Sequence, residues 1–355
     1  MSKDNEIQRE FRFQDLPGDL IYSVFEAATD DAEKPNWNCA LVSKRVKTLV
    51  EPMLYRHIVL NTYKGMELLH RTIVYPSSKP SDFFSTHVKT LEIGACSSWS
   101  DVFDILSAVP HLSALYFRIK TRDSIEHSDL EVGRHPVWEV LKPKRLCIAN
   151  KSFLPSHRHF HTSRCGNVGA SLNPLFTNVT HLELPWGPPS ESWAWPSLSQ
   201  LTTLTHICFS APPTLSAIHA ASDIVKEAIP HFPISLIVCV FSIPFTQWFV
   251  NARELVEATG GRLHPRVVVA VSEYYYNSVL AGEWIRKRAI WRVTSVGEGR
   301  LHEDAFWERA EAKVREQILE EQTNQGRDSE VGEMTSTEDV IQNEDVFGTS
   351  DSDPD

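Results

Sequence analysis

Two spacings of apolar residues organise this chain. Over the first sixty residues they recur every three to four positions; beyond residue 87, short apolar runs recur roughly every 25 to 35 residues. Leu16, Leu20, Ile21, Val24, Phe25 and Ala28 define one helical stripe. Pro17 stands at its start, where first-turn N–H groups lack internal acceptors and proline is tolerated. Trp37, Leu41, Val42, Val46, Leu49 and Val50 form a second apolar set, which Pro52 should end by removing a donor. A segment of about 45 residues is marginal as an independent domain. This helical module, residues 11–60, is therefore expected to pack on the rest of the chain, on a partner, or on both. Residues 1–10 precede it as a polar arm, and Tyr55 to Leu60 reads as a closing strand.

Further along, His87 to Ile93 alternates and predicts a half-buried strand. Ser100 to Val109 predicts a helix with Ser100 as its N-cap, stopped by Pro110. Strands are also predicted at Leu112–Phe117, Arg145–Ile148, Val179–Leu184, Leu204–Phe209, Leu236–Phe241 and Val267–Val271, with helices over Met66–Val74 and Leu215–Ile229. The units Val88-x-x-Leu91-x-Ile93, Val179-x-x-Leu182-x-Leu184 and Leu204-x-x-Ile207-x-Phe209 share the apolar-x-x-apolar-x-apolar strand pattern of leucine-rich repeats, without the Asn or Cys that usually follows. An ordinary α/β domain fits too, but the recurring spacing favours an irregular repeat solenoid over residues 61–300. The predicted fold class is thus α/β: a small N-terminal helical module, then a leucine-rich-repeat-like solenoid. An amphipathic helix at 301–322, with Phe306, Trp307, Ala310, Val314, Ile318 and Leu319 on one stripe, is expected to cap the final edge. Residues 323–355 are polar and acidic, and are expected to be a disordered tail.

Charge sharpens that division. Residues 316–355 hold 13 acidic residues and one basic one, Arg327; of the net −11 they carry −12, and the rest of the chain +1. A near-neutral folded part argues against nucleic acid as a partner, since phosphate binding needs a concentrated basic face. Lys44, Arg45 and Lys47 read as a solvated helix face. With 42% hydrophobic residues and ten Trp, wholesale disorder is not expected. No apolar run is long enough to predict a membrane span, and the first residues lack a secretory apolar region. The six Cys are scattered singly and read as reduced thiols of a cytoplasmic or nuclear protein.

Candidate chemistry is sparse. His157, His159 and His161, with Cys165 behind, place alternating imidazoles on one side of an extended segment; without a second ligand pair the reading is an exposed polar loop, not a metal site. Phosphate-cradling glycine loops, a nucleophile elbow and a metalloprotease helix motif are all missing, so no catalytic residue, cofactor or metal is predicted. Trp186, Trp193 and Trp195 in a Pro-rich insertion, and Tyr274 and Tyr275 after a strand end, serve either as anchors for a protein substrate or as packing over the core.

The N-terminal motifs also carry a resemblance. Leu16-Pro17, Asp19, Leu20-Ile21, Val24-Phe25, then Ala40-Leu41-Val42-Ser43-Lys44 and Glu51-Pro52-x-Leu54-Tyr55-Arg56, resemble an F-box, in the style of the F-box-like set abundant in fungi. The resemblance covers about the first sixty residues. One position departs: F-boxes often carry a Trp a few residues after the Lys, where this chain reads Val46-Lys47-Thr48-Leu49-Val50. The resemblance implies a non-enzymatic subunit that docks on the adaptor of a cullin–RING ubiquitin ligase complex of the SCF type and recruits a protein substrate. The docking residues it implies are Leu16, Pro17, Leu20, Ile21, Val24, Phe25, Leu41, Val42, Leu49, Leu54 and Tyr55. The alternative is a protein-interaction scaffold in which the module only caps the repeat domain.

Overall fold

The computed structural model describes residues 16–29, 36–75, 79–95, 98–117, 135–148, 161–162, 171–185, 195–210, 223, 225–243, 263–272, 289–292 and 303–334. The fold is α/β. Among the described residues nine strands form one parallel sheet: β1 (His57–Leu60), β2 (Thr90–Ile93), β3 (Ala114–Phe117), β4 (Arg145–Ile148), β7 (His181–Pro185), β8 (His206–Ser210), β9 (Val238–Ile243), β10 (Val267–Ser272) and β11 (Ile290–Arg292). A separate antiparallel pair, β5 (His161–Thr162) and β6 (Ser171–Leu172), lies between β4 and β7 in sequence. Every strand of the main sheet pairs with the next one along the chain. Strand order never reverses among the described residues, so the sheet lacks the switch point at which doubly wound sheets hold ligands.

The recurring apolar pattern explains the core, with a shift of register. Val88, Leu112, Val179, Leu204 and Leu236, the expected first apolar residues, each lie two positions before their strand. They turn inward from the preceding loop, and all five are buried. The following inward positions, such as Leu91 and Ile93, Leu115 and Phe117, Leu182 and Leu184, or Ile207 and Phe209, join them in one core on one face of the sheet. Backbone bonds align successive units: Lys89 O accepts from the N–H groups of Ser113 and Ala114, and Lys144 O from those of Thr180 and His181. Hydroxyls of Ser113 and Ser235 add bonds to the carbonyls of Lys89 and Leu204.

The strand expected to be half-buried at His87–Ile93 is instead buried throughout as β2, whereas three of the four residues of β1 keep some exposure. All four residues of β2 and of β3 are buried, including Thr90 and Glu92. The opposite face is therefore also covered, and over β9 to β11 the long helix Glu303–Met334 does this. That helix lies across the face, where it was expected to cap the last edge, and it continues past residue 322 into the segment expected to be disordered. Residues 335–355 lie outside the described residues.

Smaller differences have local causes. Helix α1 spans Gly18–Thr29. The second apolar set divides into a 3-10 turn, Trp37–Leu41, and helix α2, Lys44–Leu54, because Ser43 caps α2 by accepting from the N–H of Val46. Pro52 does not end α2; it falls in the last turn, where the loss of one donor is tolerated, and Tyr55 N–H still reaches Glu51 O. Helix α3 is Tyr63–Val74, and α4, Phe83–His87, was not predicted. Helix α5, Trp99–Ala108, is capped by Ser98, not Ser100: the Ser98 hydroxyl accepts from Ser100 N–H at 3.2 Å. Among the described residues no helix is long and apolar enough to cross a membrane.

Candidate functional site

Two surfaces concentrate residues that the fold does not need for its central core. The first is the N-terminal module. Its small core contains Ile21 and Phe25 from α1 and Val46, Val50 and Leu54 from α2, with Leu16, Leu49 and Met53 half-buried beside them. The predicted α1 stripe is therefore split. Ile21, Phe25 and Thr29 form the i, i+4, i+8 row that faces inward, while Leu20, Val24 and Ala28 form the adjacent row facing out. Exposure reaches 50% at Leu20, 53% at Val24, 80% at Leu41 and 69% at Val42. Tyr22 and Trp37, which sequence reasoning did not place at the site, are exposed as well. Pro17 is also exposed.

The predicted docking residues thus separate by exposure, with Leu16 and Leu49 half-buried between the extremes. Pro17, Leu20, Val24, Leu41 and Val42 are available to a partner. Ile21, Phe25 and Leu54 are corrected to core residues of the module, since a buried side chain cannot reach a partner without unfolding its own support. Tyr55 has a third role as a joint. Its ring meets Trp37, Phe83 and Phe84 edge-on at 5.4, 5.4 and 5.6 Å, fixing the module against α4. Lys79 Nζ lies over the Tyr55 and Phe83 rings and 3.1 Å from the Glu51 carboxylate. Burial, with a smaller contribution from Glu51, raises the Tyr55 phenol above its ordinary range.

The second surface is the sheet face beneath the long helix. Register places Arg145, His181 and His206 in one cross-strand row, with Cys147, Glu183 and Cys208 in the next. The His181 and His206 rings stack at 4.1 Å, and the Trp307 ring stands across both at 5.3 and 5.1 Å. Asp304 pairs with Arg145, and Glu311 Oε1 lies 3.0 Å from His206 Nε2. With its proton on Nε2, a neutral His206 donates to Glu311, while its Nδ1 lies 2.8 Å from the Thr205 hydroxyl, which donates to the Thr180 carbonyl. Burial holds His206 below the usual imidazole range against the opposing pull of Glu311. His181 is pushed down to about 3, by burial first and then by His206 and Arg145. Ser210 donates to Glu183 at 2.8 Å. Further along the helix, the Gln317 amide donates to the carbonyls of Pro265 and Val267, at 2.9 and 3.0 Å.

Of the candidate substrate anchors, Trp195 takes the packing alternative: it is buried and meets Phe209 edge-on at 5.7 Å. Trp186, Trp193, Tyr274 and Tyr275 lie outside the described residues, as do His157, His159 and Cys165. His161 belongs to β5, paired opposite Leu172. Among the described residues no group of His, Cys, Asp and Glu is placed to hold a metal. The first surface presents exposed apolar side chains, whereas at the second the charged and aromatic groups contact the chain's own helix. No protein-family model matches the chain, and no curated protein or solved structure matches it either.

Proposed function

We propose that this protein is a substrate-recognition subunit of an SCF-type cullin–RING ubiquitin ligase. In this reading the F-box-like module docks on the adaptor, and the sheet region, an irregular leucine-rich-repeat-like solenoid, holds a protein substrate. The observation that carries the proposal is the outward row of the module. Leu20, Val24, Leu41 and Val42 stay exposed although the module's core is already filled by Ile21, Phe25, Val46, Val50 and Leu54. Large apolar side chains gathered on so small a module favour burial by a partner. The solenoid reading is supported by main-sheet strands that begin 23 to 36 residues apart and pair in sequence order. The ligase supplies the chemistry; this chain supplies proximity, which makes transfer to a substrate lysine effectively intramolecular.

Co-expression of the full chain with the ligase adaptor, followed by size-exclusion chromatography, tests the proposal. A one-to-one complex is expected, lost when Leu20→Asp and Val24→Asp are combined. A folded wild-type chain that elutes apart from the adaptor overturns it and returns the module to a cap on the sheet, a role for which the Tyr55 joint would suffice.

A further inference from the structure

The N-terminal module and the sheet have separate cores, joined along the chain by Tyr55 and Arg56 between α2 and β1. A buried cation lies at the seam between them. Lys79, from the stretch joining α3 to α4, is 9% exposed, and its Nζ sits 4.4 Å from the centre of the Tyr55 ring and 4.2 Å from that of Phe83. Glu51 Oε1, on α2, stands 3.1 Å away, yet the ammonium makes no hydrogen bond among the described residues. There, two ring faces and one carboxylate are what offset the loss of water around a full charge. Glu51 has a second cation, Lys47, at 3.8 Å, but Lys47 is 53% exposed and is solvated without it. The dependence is therefore one-sided: Lys79 needs Glu51 more than Glu51 needs Lys79. If the carboxylate loses its charge, the lysine relieves its burial most readily by swinging its long stem into water. That movement empties the site over Tyr55 and Phe83, whose ring contact seats the module on α4.

We infer that Lys79 is a charge-operated latch: held by Glu51, it keeps the module seated on α4, and loss of that carboxylate's charge lets the module swing about the Tyr55–Arg56 link while both cores stay folded. The consequence for function rests on the role proposed above, since the angle at this seam sets where a substrate stands relative to the adaptor. The latch itself does not require that role, and its test uses no adaptor, so either reading can fail alone.

The test treats the full chain with an amine-acylating reagent, reads the modification of Lys79 by mass spectrometry, and follows amide hydrogen exchange in α4 and in both cores. Glu51→Gln should speed Lys79 acylation by about tenfold or more and quicken exchange in α4, with exchange in α1, α2, β2 and β3 unchanged. Lys79→Met keeps the length of the side chain and removes its charge. Combined with Glu51→Gln, it should return α4 exchange to within about twofold of wild type, because no buried charge is left to expel. A Lys79 that only fills space predicts the reverse, a double variant at least as loose as Glu51→Gln alone. The inference is overturned by that result, by unchanged acylation in Glu51→Gln, or by faster exchange through α1 and α2, which would mean that the module unfolds instead of swinging.

Discussion

The module helix α1 and the long helix Glu303–Met334 both carry apolar stripes, yet they dispose of them in opposite ways. The long helix buries Phe306, Trp307, Ala310 and Val314 against the sheet, while Leu319 is exposed. In α1, Ile21 and Phe25 are buried, while Leu20, Tyr22 and Val24 face solvent. The difference lies in the available surface. The sheet offers its β9 to β11 face to the long helix, whereas among the described residues α1 packs chiefly on α2 and a 3-10 turn. An apolar stripe in sequence therefore reports a need for burial, and only the fold decides whether the chain itself can meet it.

That contrast can be broken at several strengths. Ala310→Asp would bury a carboxylate among Val240, Val268 and Ala270, and should cost about 4 kcal/mol in chemical denaturation. An unchanged midpoint would mean that the helix is not seated as described. Leu54→Ala should cost roughly 2–4 kcal/mol, by opening a cavity in the module, whose core has few other large side chains. If amide exchange quickens in α1 and α2 alone, the module unfolds as its own unit; if it quickens throughout, the Tyr55 joint couples module to sheet.

Acid should loosen the long helix before the module. An unfolded histidine takes a proton near pH 6.5, whereas His181 takes one at about 3 in the fold. Between these values only the unfolded chain binds that proton, so stability present above pH 6.5 is lost as pH falls toward 3. His206 and His264, both lowered by burial, act in the same direction. The loss from His181 between pH 7 and pH 5 is roughly 1–2 kcal/mol, and His181→Gln should flatten that part of the thermal stability profile. A profile equally steep in the variant would remove His181 as its source. The smallest effect on stability belongs to the outward row: Leu41→Ser and Val42→Ser should each stay within about 0.5 kcal/mol of wild type. Adaptor affinity measured by calorimetry should nevertheless fall at least tenfold, separating a docking residue from a structural one.

Most of the main strands were legible from their apolar runs, and the starts of β4 and β10 with them; five other starts were not, because Val88, Leu112, Val179, Leu204 and Leu236 belong to the core without belonging to strands. β11 and α4 escaped notice, being three and five residues long. The N-terminal helical module was legible from its apolar spacing, but the division of Ile21 from Leu20 and of Phe25 from Val24 needed the neighbouring helix to set the angle. The polar row under the long helix was missed altogether. Arg145, His181 and His206 drew no reading of their own, since only register across three strands brings them together, and the amphipathic stripe at 301–322 was expected to cap the final edge.

Pairing in sequence order also bears on how the chain is made. A ribosome delivers β1 first, and each later strand of the sheet emerges beside a neighbour already in place, so the sheet can grow as it is translated. The helix that covers Val238, Val240, Val268 and Ala270 is the last described element to emerge. Until residue 303 clears the exit tunnel, those valines have no cover. A nascent chain stalled there would present a bare apolar sheet face to chaperones and proteases, so the quality-control machinery could tell a finished molecule from an aborted one by that single helix.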